Sequence, residues 1–193
     1  MRRVLPFLRF SLVIFLLTAL ACPVFSADIQ TLIKDAEGGN PKAQLDLGIA
    51  YSKGEGIPQD YAKSMKWYRM AAEQGLAEAQ NNLGVAYYNG QGVPQDYTEA
   101  MKWFPMAAEQ GHAGAQCALG VSYNIGQGVP QDYLLAYFWT SLASKSKPCG
   151  GDNRGAGYFY MDYAANAAKQ LTPEQLMKAQ QMIREWEEKH PRK

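Results

Sequence analysis

A block of 36 residues returns three times without a gap, and nothing else in this 193-residue chain restricts its folding as strongly. The copies run 39–74, 75–110 and 111–146. Gly48, Gly84 and Gly120 recur at that spacing, as do Tyr51, Tyr87 and Tyr123, Pro58, Pro94 and Pro130, Asp60, Asp96 and Asp132, and Trp67, Trp103 and Trp139. A period of this length marks an array of stacked units, each resting on its neighbours, and sets aside a globule folded around one centre.

Each copy reads as two helices. The first spans about 41–52, with counterparts at 77–88 and 113–124, and Ala43, Leu47, Ala50 and Tyr51 fall on one face at helical spacing. The second begins after Asp60 and runs to about Glu73, with Tyr61, Met65, Tyr68 and Ala72 on one side. Between them stands Gly-x-Gly-[Ile/Val]-Pro-Gln-Asp. Its glycines end the first helix, its proline cannot continue it, and Asp60 is placed to cap the second. Gly48 lies inside a helix, where glycine costs about 1 kcal/mol against alanine. Its return at Gly84 and Gly120 predicts that the partner helix crosses too closely there for a Cβ. A hairpin of this size cannot bury its apolar face alone, so its stability must come from stacking.

The motifs Ala-Gln-x-x-Leu-Gly-x-x-Tyr (43–51, 79–87, 115–123), Gly-x-Gly-[Ile/Val]-Pro-Gln-Asp-Tyr (54–61, 90–97, 126–133) and Ala-Ala-Glu-Gln-Gly (71–75, 107–111) resemble the Sel1-like repeat (SLR), a relative of the tetratricopeptide repeat. The resemblance implies an all-α, right-handed α-solenoid of stacked helix-turn-helix units whose first helices line a concave groove. It also implies a non-enzymatic adaptor or regulatory scaffold that binds other proteins, often in the bacterial envelope. By that likeness the concave side would show Lys42, Leu45, Ile49 and Ser52, then Glu78, Asn81, Val85 and Tyr88, then Gly114, Cys117, Val121 and Asn124. Among these, Leu45, Ile49, Asn81, Val85, Tyr88, Val121 and Asn124 are the candidate peptide-binding residues. Their amides and hydroxyls suit a peptide backbone, and their aliphatic groups suit apolar side chains.

Flanking segments follow a different logic. Arg2, Arg3 and Arg9 precede an uncharged apolar run, 12–20, so residues 1–27 read as a secretory signal peptide. The run is short for a spanning helix, which needs about 20 residues. Cleavage followed by an exported, periplasmic or secreted chain without membrane insertion is the expectation. Cutting after Ala21 would leave Cys22 first, and the alternative of a lipid-anchored envelope adaptor rests on that residue. Losing residues 1–27 takes Lys+Arg from 19 to 16 against 18 Asp+Glu, so the formal charge moves from +1 to −2. A near-neutral chain without a basic stretch argues against nucleic acid.

Residues 28–38 read as a capping helix ahead of the first unit, and 147–193 as a loop and C-terminal capping helices. The loop itself, 144–157, is rich in Gly, Lys and Ser. Thr172, Pro173 and Gln175 form the signature of a capped helix start. Pro105, inside a second helix, predicts a kink, because it has no N–H for the Met101 carbonyl.

Cys117 and Cys149 form a candidate disulfide in an exported chain, with two free thiols as the alternative. Two isolated cysteines with His112 and His190 give no zinc-type spacing, so neither metal nor cofactor is expected. No nucleophile–base motif appears. His112 reads as a surface residue at a helix start, Glu37, Glu73 and Glu109 as helix-end residues, and the three recurring tryptophans as packing positions. The competing enzymatic reading comes from the resemblance alone, since cysteine-rich relatives are linked to β-lactam binding and hydrolysis. The partner's identity and the oligomeric state stay open.

Overall fold

The computed structural model describes residues 23–146 and 156–191. The described residues are helical: α1 (Pro23–Glu37), α2 (Pro41–Lys53), α3 (Tyr61–Glu73), α4 (Ala77–Asn89), α5 (Tyr97–Glu109), α6 (Ala113–Ile125), α7 (Tyr133–Ser146), α8 (Ala156–Gln170) and α9 (Pro173–Lys189). Each helix from α1 to α7 packs on the next, α6 also meets α8, and α9 returns onto α7. That sequence of neighbours is a solenoid. The signal peptide reading (residues 1–27) falls almost wholly outside the described residues, and α1 begins at Pro23, upstream of the capping helix expected from residue 28.

Chemistry at the turns explains why the pattern repeats. Gly54, Gly90 and Gly126 end the first helices at φ +73°, +69° and +71°, which glycine adopts without strain. Asp60 and Asp96 accept the backbone N–H of Lys63 (3.0 Å) and Glu99 (2.9 Å), and Asp132 accepts those of Leu134 and Leu135. Gln59, Gln95 and Gln131 donate back to the carbonyls of Ser52, Tyr88 and Asn124 at 2.7, 2.8 and 2.6 Å, tying each turn to the helix it leaves. At the far end Thr172 and Gln175 form the expected reciprocal capping box.

The helix crossings are as close as the repeated glycine requires. A Cβ on Gly48 would lie 2.6 Å from the Tyr68 ring, and one on Gly84 would lie 2.7 Å from the Phe104 ring. On Gly120 it would sit 3.0 Å from the backbone nitrogen of Thr140. Ser64 donates to the Gly48 carbonyl across the first crossing at 2.8 Å.

A buried glutamine joins each unit to the one before it. Gln44, Gln80 and Gln116, all at most 1% exposed, donate to the carbonyls of Ala36, Ala72 and Ala108 at 3.1, 3.2 and 3.1 Å. Gln74 and Gln110, from the Ala-Ala-Glu-Gln-Gly ends, donate in turn to the Oε1 atoms of Gln44 (2.7 Å) and Gln80 (2.8 Å). The ladder stops at Gln116, whose buried Oε1 has no partner among the described residues.

Trp67, Trp103 and Trp139 pack against the core between units, as expected of packing positions. Pro105 lies within α5, half-buried, and the helix continues past it to Glu109. No described helix is long and apolar enough to cross a membrane.

Candidate functional site

The first helices α2, α4 and α6 carry the candidate groove, and the structure sorts their residues into three groups. Leu45 leaves the set. It is 0% exposed and packs with Met65, Tyr68, Ala79 and Leu83, because the following unit covers its end of the α2 stripe. Asn124 is 5% exposed, and helix α8 engages it: Asn166 donates to its Oδ1 at 3.3 Å, and its Nδ2 reaches the Tyr163 carbonyl at 3.5 Å. Ile49, Asn81, Val85, Tyr88 and Val121 remain half-buried, partly open to solvent. Of these, Ile49 leans on the core of the first two units, and Asn81 bonds to Asn82 at 3.4 Å.

Val85, Tyr88 and Val121 come together. With Asn89, Phe104 and Ala118 they line a notch of about 180 Å³ between the second and third units. Tyr88 stands edge-on to Tyr97, with ring centroids 4.9 Å apart, and its hydroxyl donates to Gln127 of the next turn. Burial raises the Tyr88 hydroxyl pKa, so the ring keeps its proton and stays a neutral donor.

One unit earlier lies a second notch, of about 260 Å³, which includes Ser52, Lys53, Tyr68, Asn82 and Val85. Adding 36 to each of those numbers gives Tyr88, Asn89, Phe104, Ala118 and Val121, so the two hollows are the same architectural position in successive units. Their chemistry differs. Ser52, Lys53, Asn82 and Gln91 give the first notch polar walls, whereas Asn89 is the one polar amide lining the second. The equivalent place in the third unit meets α8, which ends the row.

Phe104, Asn82 and Gln91 are not legible as site residues in the sequence. Phe104 projects from a second helix, Asn82 is one residue past Asn81, and Gln91 belongs to a turn. The usable signal is the register itself, since each aligns with a residue that changes between copies: Tyr68 with Phe104, Asp46 with Asn82, Glu55 with Gln91.

His112 has a structural task as well as a surface. It is half-buried, and its Nδ1 accepts the backbone N–H of Ala115 at 3.2 Å, capping α6. Desolvation lowers its pKa below 6.5, opposed by the nearby negative charge of Glu78. The neutral ring is therefore the form the fold selects. That contribution is fully present above the unfolded value of 6.5 and is lost as pH falls through the lower folded value. Lowering the pH from 7 to 5 should destabilise the wild type more than it destabilises His112→Asn, which keeps a cap acceptor without titrating. Urea midpoints at both pH values measure the difference, and identical pH slopes would remove His112 as the cause.

Cys117 is 2% exposed and disulfide-bonded. Cys149, its expected partner, lies outside the described residues. Among the described residues no three His, Cys, Asp or Glu side chains cluster as a metal site requires.

The Sel1 repeat family matches at 41–76, 77–112 and 113–147. The chain therefore belongs to the Sel1 repeat family, whose members are generally protein-interaction scaffolds. Among solved structures, a protective antigen of uropathogenic Escherichia coli with an SLR fold is 35% identical, with a TM-score of 0.71 over 84% of this chain. This chain spans 33% of that protein's length. A Sel1 repeat protein from Oxalobacter formigenes is 36% identical, with a TM-score of 0.59 over 70% of this chain and 98% of its own. No curated protein matches the sequence.

Proposed function

We propose that this chain is an exported adaptor of the bacterial envelope, without chemistry of its own, that holds an extended peptide segment of another protein along its concave face. The observation that carries this reading is the pair of notches one repeat apart, mixed polar and apolar at the first and almost wholly apolar at the second. An extended chain offers side chains at regular intervals, and a repeat array offers pockets at regular intervals, so the two match by register. The apolar notch would receive an aliphatic or aromatic side chain against Val85, Phe104 and Val121. Ser52, Asn82 and Gln91 would satisfy a polar residue and nearby backbone groups. Export rests on the apolar, arginine-led N-terminus.

A peptide selection tests this. Peptides selected on the wild type should share one apolar residue, and Val121→Lys should weaken them by about tenfold or more, because it places a charge in an apolar pocket. Val121 is half-exposed at the rim, so the thermal unfolding curve should stay near that of the wild type. Peptides that bind Val121→Lys as tightly as the wild type would place the contact elsewhere.

A further inference from the structure

The C-terminal cap forms a second concavity, sharing no residue with the groove. Helices α7 and α9 part to leave a cleft of about 360 Å³ lined by Tyr137, Ser141, Ser144, Lys145, Gln180, Ile183 and Arg184. The α7 residues 137, 141, 144 and 145 lie on one helical stripe, and 180, 183 and 184 lie on a facing stripe of α9. Ile183 gives the cleft a buried apolar floor. Among the described residues no carboxylate lines it. At its rim Lys145 pairs with Glu187 at 2.8 Å. Arg184 has no ion pair or side-chain hydrogen bond among the described residues, and neither do the Tyr137, Ser141 and Gln180 side chains. Met177, 65% exposed and two turns before Arg184 on α9, adds an open apolar contact beside this polar cluster.

We propose that this cleft docks the side-chain carboxylate of an acidic segment in a partner protein. Charge selects the ligand. Lys145 is paired with Glu187, so among the described residues lining the cleft Arg184 is the one cation without an ion pair, and it suits a monoanion. Its planar fork matches the two oxygens of a carboxylate. Ser141, Tyr137 and Gln180 supply neutral donors for the remaining lone pairs, and Ile183 takes the methylenes. A phosphate dianion would bring a second negative charge towards Glu187 with no cation to meet it.

The test is an NMR titration of the full chain with four probes. They are the capped tetrapeptide Ac-Ala-Glu-Leu-Ala-NH2, its Gln counterpart, the Gln peptide with a free terminal carboxylate, and inorganic phosphate. The Glu peptide should shift the signals of Ser141, Gln180 and Arg184, with the neutral Gln peptide about tenfold weaker, as expected when a charged hydrogen-bond acceptor is lost. Arg184→Gln should abolish the response while leaving the unfolding curve unchanged, since Arg184 is exposed. Glu187→Gln should tighten binding by releasing Lys145. The proposal is overturned by an equal response to the Glu and Gln peptides, or by undiminished binding to Arg184→Gln. Binding of the terminal acid alone, or phosphate binding tighter than the Glu peptide, overturns it as well.

Discussion

Phe104→Ala should destabilise the chain by about 4 kcal/mol and should reverse the sign of a second substitution, Gly84→Ala. Phe104 is 1% exposed and sits among Ala100, Ala107, Ala108, Ala115 and Leu119, where little nearby can move to refill the space. Gly84 faces that ring. In the wild type an added methyl would lie 2.7 Å from two ring carbons, so Gly84→Ala forces the helices apart, an overpacking worth about 1–3 kcal/mol. Without the ring the methyl enters vacated space, and the helix gains the propensity advantage of alanine over glycine, about 1 kcal/mol. Gly84→Ala should therefore destabilise the wild type and stabilise Phe104→Ala. A double-mutant cycle in urea reads the coupling directly. If Gly84→Ala costs the same in both backgrounds, the repeated glycine has some other reason than helix crossing.

The glutamine ladder gives the second large effect. Gln80→Leu should cost about 2 kcal/mol, because a buried hydrogen bond to the Ala72 carbonyl and a partly buried one from Gln110 are lost with nothing of similar chemistry to replace them. The same change at Gln116 should be close to neutral or stabilising. It removes one hydrogen bond, to Ala108, and also removes a buried acceptor that has no partner, whose desolvation cost is about 1–3 kcal/mol. Equal costs at Gln80 and Gln116 in chemical denaturation would mean that side-chain shape, and not the ladder, decides.

Glycine and glutamine here differ in how far a sequence reveals their roles. The period locates the helices to within a residue or two through the three units, because caps, turns and stripes are local in sequence. The helix-crossing role of Gly48, Gly84 and Gly120 is legible because a repeated local cost needs a repeated cause. Gln44, Gln80 and Gln116 repeat just as strictly, yet their partners lie eight residues back and, for Gln44 and Gln80, thirty ahead, across the boundary between units, so no local rule exposes them. Leu45, placed on the groove by the family resemblance, lies in the core for a related reason. Spacing identifies a stripe, but which end the next unit covers depends on how the units stack. Asn124 occupies the same stripe as Ser52 and Tyr88 but meets α8, a helix outside the repeat pattern. His112 reads as surface because its cap bond depends on the tautomer and burial of one ring.

Site-specific photo-crosslinking in native cells measures the use of the groove most directly. A benzophenone side chain at Val121, in the apolar notch, should form an adduct with a single protein partner through one short segment carrying an apolar residue. The same group at Met106, which is 46% exposed on second helix α5, should form none. Adducts at Met106 with none at Val121 would contradict a concave binding face and move the contact surface to the other side of the solenoid.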